Sequence, residues 1–203
     1  MVYASWDGES RAPHPFFALV PTDCQMFSIF VVDKYPNHSS LNTMTTNKQL
    51  QFDYTEYSQI EELNAEEQRV VRASIAAQRT SHSPYSQFRV GAAVLLANGQ
   101  IVEGSNQENG AYPSGLCAER VAMFAAATQQ PQQPIRMLAI SASHNGEAVA
   151  SPVAPCGGCR QVIVEYIAKH GASFPVLMVG ASRIIKIDAE ALIPFSFTNA
   201  DNV

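Results

Sequence analysis

No stretch of the 203-residue sequence could cross a bilayer. The longest uninterrupted apolar run, Val90–Ala97, has eight residues, against the roughly 20 that a spanning helix needs. Charge is scarce at 15%, below the about 25% of an average globular chain. Positive charge is scarcer still: 13 Lys and Arg face 18 Asp and Glu, for a net charge of −5. That balance excludes nucleic-acid binding through a broad basic surface. No basic head followed by an apolar stretch and a small-residue cleavage site opens the chain, so no signal peptide is expected. Internal repeats and low-complexity blocks are absent. Cysteine occurs only four times, as Cys24, Cys117, Cys156 and Cys159. Without a secretory start these are not expected to form a disulfide framework, and the Asn37-His38-Ser39 sequon carries no weight. Hydrophobic residues make up 46%, enough for a core and against general disorder. The expectation is a soluble, cytoplasmic protein with no membrane partner.

The chain divides unevenly. Residues 1–43 hold Pro13, Pro15, Pro21, Pro36 and the only tryptophan, Trp6, with no sustained periodicity. They are expected to form a poorly ordered tail, or an upstream translation ahead of a start at Met44. The alternative is a short extra element with a strand at 27–32. Residues 44–60 are expected to be a lead-in, and 61–203 the main folded domain. Asn64 with Glu67 three residues on predicts a capped helix start. Leu63, Val70, Val71, Ser74 and Ile75 predict one apolar face running to about Gln78. Ser83-Pro84-Tyr85-Ser86 predicts a turn. Val90–Ala97 and Ile101–Ser105 flank Asn98-Gly99 as a hairpin. Helices are expected near Cys117–Thr128 and from Pro155-Cys156-Gly157-Gly158 to Gly171. The second has an apolar stripe of Val162, Ile163, Tyr166 and Ile167, with Lys169 and His170 in its last turn. Further strands are expected at Met137–Ser143, Val176–Val179 and Ile184–Ile187, with a turn at His144-Asn145-Gly146. Strands alternating with helices predict an α/β fold.

Two pieces carry chemistry: Cys117-Ala118-Glu119 and Pro155-Cys156-Gly157-Gly158-Cys159. In an intracellular chain, Cys-x-x-Cys with a further cysteine reads as metal binding or redox chemistry. Each group falls at an expected helix N-terminus, where unpaired N–H groups and the dipole favour the thiolate. Cys117, Cys156 and Cys159 give zinc three protein ligands and leave a fourth position open, the arrangement of a catalytic site. Glu119, on the first turn beside a ligand, can reach water and substrate there.

The Cys-x-Glu and Pro-Cys-x-x-Cys pieces match the signature of zinc deaminases acting on nucleobases. Five blocks in order resemble the cytidine deaminase family: 84–93, beginning Pro84-Tyr85-Ser86-Gln87-Phe88; Asn106-Gln107-Glu108-Asn109; Cys117-Ala118-Glu119-Arg120; Pro155 to Gln161; and Leu192-Ile193-Pro194-Phe195-Ser196-Phe197. The resemblance spans roughly Glu61 to Phe197. It implies a three-layer α/β/α sandwich on a mixed sheet of about five strands, one Zn²⁺ per subunit, and a homotetramer whose sites are completed by neighbouring subunits. It further implies hydrolytic deamination of cytidine and deoxycytidine in pyrimidine salvage. In that chemistry zinc-bound hydroxide attacks C4, and Glu119 carries the proton to ring N3 before ammonia leaves.

By the same resemblance, Asn106 and Glu108 meet the ribose hydroxyls, Phe88 packs on the pyrimidine ring, and Ala118 lines the substrate. Phe197 reaches a neighbouring subunit's site, and Tyr112 sits near a subunit boundary. Arg120 bonds the ligand sulfurs and offsets the charge of three thiolates on one Zn²⁺. Two positions depart from the family: Ser105 stands where a cysteine is common, and Gln107 where an apolar residue is common. His14, His38, His82, His144 and His170 lie outside the signature and are expected to be solvated or capping. Cys24 is expected to be an inert thiol.

Rival readings are weaker. A blasticidin-type or other small-molecule cytosine deaminase shares the cysteine pieces but does not call for the Asn106/Glu108 pair. A polynucleotide deaminase would commonly carry His at position 117 and a basic strand-binding surface. A non-enzymatic zinc-stabilised binding protein needs a fourth protein ligand, and none has sensible spacing. A Cys-x-x-Cys redox protein leaves Cys117 and Glu119 unexplained.

Overall fold

The computed structural model describes residues 47–198. The expected tail, the alternative start at Met44, the alternative strand at 27–32, His14, His38 and Cys24 lie outside the described residues.

Asn64 starts the first helix, α1 (Ala65–Ala77), as its side chain predicts. Its Oδ1 accepts the Glu67 N–H at 2.9 Å, and the Glu67 carboxylate accepts the Asn64 N–H at 3.0 Å. This satisfies two donors that a helix start otherwise leaves orphaned. Val70, Val71 and Ser74 are buried as expected, but Ile75 is 42% exposed. Glu67, Val70, Val71, Ser74 and Ala77 form the buried stripe, and that 3–4 spacing leaves position 75 on its flank.

The five expected strands are present as β2 (Phe88–Leu96), β3 (Ile101–Ser105), β4 (Ile135–His144), β6 (Pro175–Val179) and β7 (Ile184–Asp188). Two more join them: β1 (Tyr54–Tyr57), in the lead-in, and the two-residue β5 (Glu147–Ala148). The sheet order is β1-β7-β6-β4-β2-β3, with β5 adding to β4. β4 and β6 run parallel and the other pairs antiparallel, so the sheet is mixed. β1 has no alternating pattern because its residues are mostly exposed; backbone pairing with β7 holds it at the edge. Asn145 and Gly146, both at positive φ, make the tight turn that folds β5 back on β4.

Side-chain alternation sorts the core into two layers. Ala92, Val94 and Leu96 of β2 face α2 (Ala118–Gln129) and α3 (Gly157–His170), meeting Met123 and Ile163. Ala93 and Leu95 face α1, meeting Val70 and Val71. A sheet between helices on both faces is the expected three-layer sandwich. α3 ends where Gly171 takes the left-handed conformation, φ 67°.

Two glycines set the layer spacing. A Cβ at Gly91 would lie 2.0 Å from the Ser74 carbonyl oxygen of α1. A Cβ at Gly104 would lie 2.3 Å from Ala122 N of α2. Both helices therefore touch sheet backbone directly, and the second contact fixes the first turns of α2.

Glu67 has a second partner. Buried within the capping box, it also accepts from Lys186 Nζ of β7. That bond raises the Lys186 pKa above its ordinary 10.5. A cation stabilised in this way contributes fully below its unfolded-state pKa, and the contribution is lost as pH rises through the folded value.

Gly104→Ala should lower stability by about 3 kcal/mol, the upper end for overpacking against a backbone that cannot yield; denaturant unfolding measures it. In alkaline unfolding series, native stability should decline above pH 10.5, and Lys186→Met should flatten that decline.

Candidate active site

Cys117 is the N-cap of α2 and Cys156 the N-cap of α3, and neither side chain makes a capping hydrogen bond. Their sulfurs are left free to face each other. Cys159 lies in the first turn of α3 and is buried. Cys117 Sγ stands 3.7 Å from Cys156 Sγ, and Cys156 Sγ 3.5 Å from Cys159 Sγ. All three sulfurs lie within 4.8 Å of one another. Tetrahedral zinc with Zn–S bonds of about 2.3 Å puts its sulfurs about 3.8 Å apart, so spacing and donor chemistry both fit that ion.

Proton sharing in the cluster points the same way. The neighbouring Cys159 lowers the Cys117 pKa most, against its burial, and Arg120 and Cys156 add to the fall. The neighbouring Cys117, burial and the Glu119 charge push Cys159 up. With protons alone, one sulfur is readily ionised and its neighbour resists. A divalent cation replaces the protons and allows all three to be thiolates.

Glu119, one helical step past Ala118, is 4% exposed. Burial raises its pKa, and the Cys117 charge adds to the rise, against its own backbone N–H, Cys159 and Arg120. Arg120 turns Nη2 toward Cys117 Sγ at 3.8 Å, while its buried Nε has no hydrogen-bond partner.

Cys117, Cys156, Glu119 and Arg120 line a cavity of about 670 Å³. Asn106 and Glu108 line it too. The Asn106 Oδ1 accepts from Ser81 Oγ and from Val90 N at 2.8 Å, and Nδ2 donates to Phe88 O at 2.9 Å. One of its N–H groups stays free. The Glu108 carboxylate gathers the turn at 84–86: it accepts from Tyr85 N at 2.9 Å, Ser86 N at 3.3 Å and the Ser86 hydroxyl. These bonds lower its pKa, the Ser86 hydroxyl most. One acceptor site on Oε1 remains. A free donor beside a free acceptor suits a polyhydroxylated ligand.

Three residues assigned to the substrate do not line the cavity. The Phe88 ring lies beside His144, with centroids 6.3 Å apart. Ala118 is fully buried. Phe197 is 65% exposed. His82 and His144 are not in the sulfur cluster, and His170 lies at the far end of α3. Several contacts near the site were not expected from sequence. Tyr85 packs edge-on against Tyr112, itself 80% exposed, with centroids 6.4 Å apart at the cavity wall. Arg160 ties the cysteine turn to the C-terminal block, from Nε to Pro155 O at 2.9 Å and from Nη1 to Leu192 O at 2.8 Å. Gln161 Nε2 donates to Phe197 O at 2.9 Å. Arg160 and Gln161 directly follow Cys159 and close the Pro155 to Gln161 block, but nothing in the sequence shows these contacts.

Known proteins resemble this chain in sequence and fold. Residues 64–171 match the family described as the cytidine and deoxycytidylate deaminase zinc-binding region. The cytidine deaminase of Sporosarcina psychrophila is 37% identical over 135 residues, covering 66% of this chain and 93% of its own. The crystal structure of cytidine deaminase from Burkholderia pseudomallei superposes with a TM-score of 0.55 at 32% identity, covering 64% of this chain and 97% of that one. A more distant relative is the blasticidin-S deaminase of Bacillus cereus, 27% identical over 115 residues, covering 56% of this chain and 79% of its own. With three sulfurs at zinc spacing beside a buried carboxylate, and family likeness running through both cysteine turns, the chain belongs to the cytidine and deoxycytidylate deaminase family of zinc-dependent hydrolases.

Proposed function

We propose that the protein hydrolyses cytidine and deoxycytidine to uridine and deoxyuridine, releasing ammonia. The observation that carries this reading is Glu119, buried beside the three-sulfur cluster in a cavity whose wall also holds Asn106 and Glu108. Cys117, Cys156 and Cys159 would hold the zinc, which when bound would supply the Lewis acidity that makes water a nucleophile near neutral pH. Glu119 takes the proton of the attacking water and delivers it to ring N3. It then assists departure of the C4 amino group as ammonia. Burial raises its pKa, which brings the carboxylate nearer the working pH and suits it to both taking and giving a proton.

Arg120 holds Cys117 by a hydrogen bond and places positive charge beside the thiolates. Asn106 and Glu108 offer their remaining donor and acceptor to the ribose hydroxyls. Phe88 as the residue packed on the pyrimidine ring and Ala118 as a substrate contact rest on the family resemblance alone, since neither lines the cavity of a single copy. Phe197, exposed and anchored at its carbonyl, completes the site of a neighbouring copy in a homotetramer, with Tyr112 near the boundary. The net charge of −5 favours a free nucleoside over a nucleic acid strand. No helix among the described residues is long and apolar enough to cross a membrane. The reading assigns the reaction to pyrimidine salvage in the cytoplasm. On the N-terminal side, we place the catalytic domain from residue 61, with β1 of the lead-in joined to its sheet.

Glu119→Gln should retain zinc and lose about 10²–10⁴-fold in turnover. Cys156→Ala should lose the metal, read by elemental analysis. Undiminished turnover in Glu119→Gln would falsify the mechanism. Cytidine and deoxycytidine should be turned over, and free cytosine and blasticidin S should not; preference for blasticidin S would select the rival. Mixed assemblies of Glu119→Gln with Phe197→Ala should regain activity absent from either variant alone. A mixture no more active than its parts would count against a shared site.

A further inference from the structure

Asn106, Gln107 and Glu108 continue from β3 as an extended segment between two neighbours. On one side His82 N donates to Asn106 O at 3.0 Å and Glu108 N to His82 O at 2.7 Å. On the other, Gln107 and Leu116 exchange bonds of 2.9 and 3.0 Å. The Asn106 and Glu108 side chains take their partners from 81–90. Gln107, between them, sends Nε2 to a different set: Ser105 Oγ at 3.2 Å, with Ser105 O and Thr80 O each at 3.3 Å.

Proton counting gives this set a direction. Thr80 Oγ1 donates its single proton to Ala77 O at 2.9 Å. Its 2.9 Å contact with Ser105 Oγ must then be donated by Ser105. The Ser105 oxygen, its own proton spent, accepts from Gln107. The result is a directed chain, Gln107 Nε2 to Ser105 Oγ to Thr80 Oγ1 to Ala77 O, whose bonds polarise one another. Ser105 is 3% exposed, so water is a poor substitute at its centre. The chain ends on the last residue of α1, the helix pressed against β2 at Gly91. An apolar residue at 107 could not donate, so the chain depends on this glutamine.

We propose that Gln107, Ser105 and Thr80 are positioning residues for the sugar end of the cavity. They anchor the 106–108 segment to the end of α1 and so hold the free Asn106 N–H and Glu108 acceptor at the spacing of a ribose. This rests on the reading that Asn106 and Glu108 bind the sugar.

The test uses the zinc-loaded enzyme with cytidine. Gln107→Leu and Thr80→Val should each raise KM about fivefold, the scale of one hydrogen bond, with kcat within about twofold. Thr80→Ser, which keeps the hydroxyl, should restore the native KM. In an Asn106→Ala/Glu108→Gln background, Gln107→Leu should add no further rise in KM, since both groups it positions are gone. A structural defect alone would add its effect in both backgrounds. If Asn106→Ala and Glu108→Gln leave KM unchanged, the sugar-binding reading fails and the proposal fails with it. If those variants raise KM while Gln107→Leu and Thr80→Val do not, or if the increments simply add, the positioning role alone is overturned. Should Gln107→Leu not fold, Thr80→Val with its Thr80→Ser control decides alone.

Discussion

The meeting of two helix N-termini governs the rest of the molecule. Cys117 and Cys156 sit at helix N-caps, with Cys159 in a first turn, and their sulfurs converge only if α2 and α3 start side by side. Helix dipoles and free N–H groups favour thiolates there, yet three of them repel one another until a cation intervenes. The scaffold holds this arrangement from below. The Gly104 contact presses α2 against the sheet, while Arg160 and the C-terminal block brace α3.

Much of this was legible in the sequence because the signals were local. The capping box at Asn64 and Glu67, the left-handed stop at Gly171 and the five expected strands all have short-range causes: a side chain reaching its own helix end, a missing Cβ, an apolar run. The cysteine trio was legible for another reason. Only a metal explains three cysteines at two helix starts with a carboxylate beside one of them. What escaped detection depends on tertiary contact. β1 carries little burial and exists by pairing with β7, and Ile75 looks like core until the true stripe of α1 is known. Tyr85 and Tyr112 lie far apart in sequence and meet only after folding. Phe88 read as a substrate contact from its block, yet in one copy its ring keeps company with His144.

Hydrogen-bond capacity refines the same picture at the cavity wall. Asn106 and Glu108 are not idle side chains awaiting a ligand. Each spends most of its bonding on the 81–90 segment, holding Val90, Phe88, Tyr85 and Ser86 in place. Building the wall and offering one remaining group to a ligand are tasks of the same atoms, which is why so small a segment can define one end of the cavity.

Residues 82, 106–108 and 116 form a miniature sheet only a few bonds wide. Its backbone pairing would be nearly as well satisfied after a slip of one residue, but Gln107 would then take the place of its neighbours. Length changes should therefore be tolerated unevenly along this stretch. The excursion between 109 and 115 can lengthen or shorten without disturbing the pairing, whereas an insertion between 105 and 108 would exchange the residues that face a ligand for those that face the scaffold.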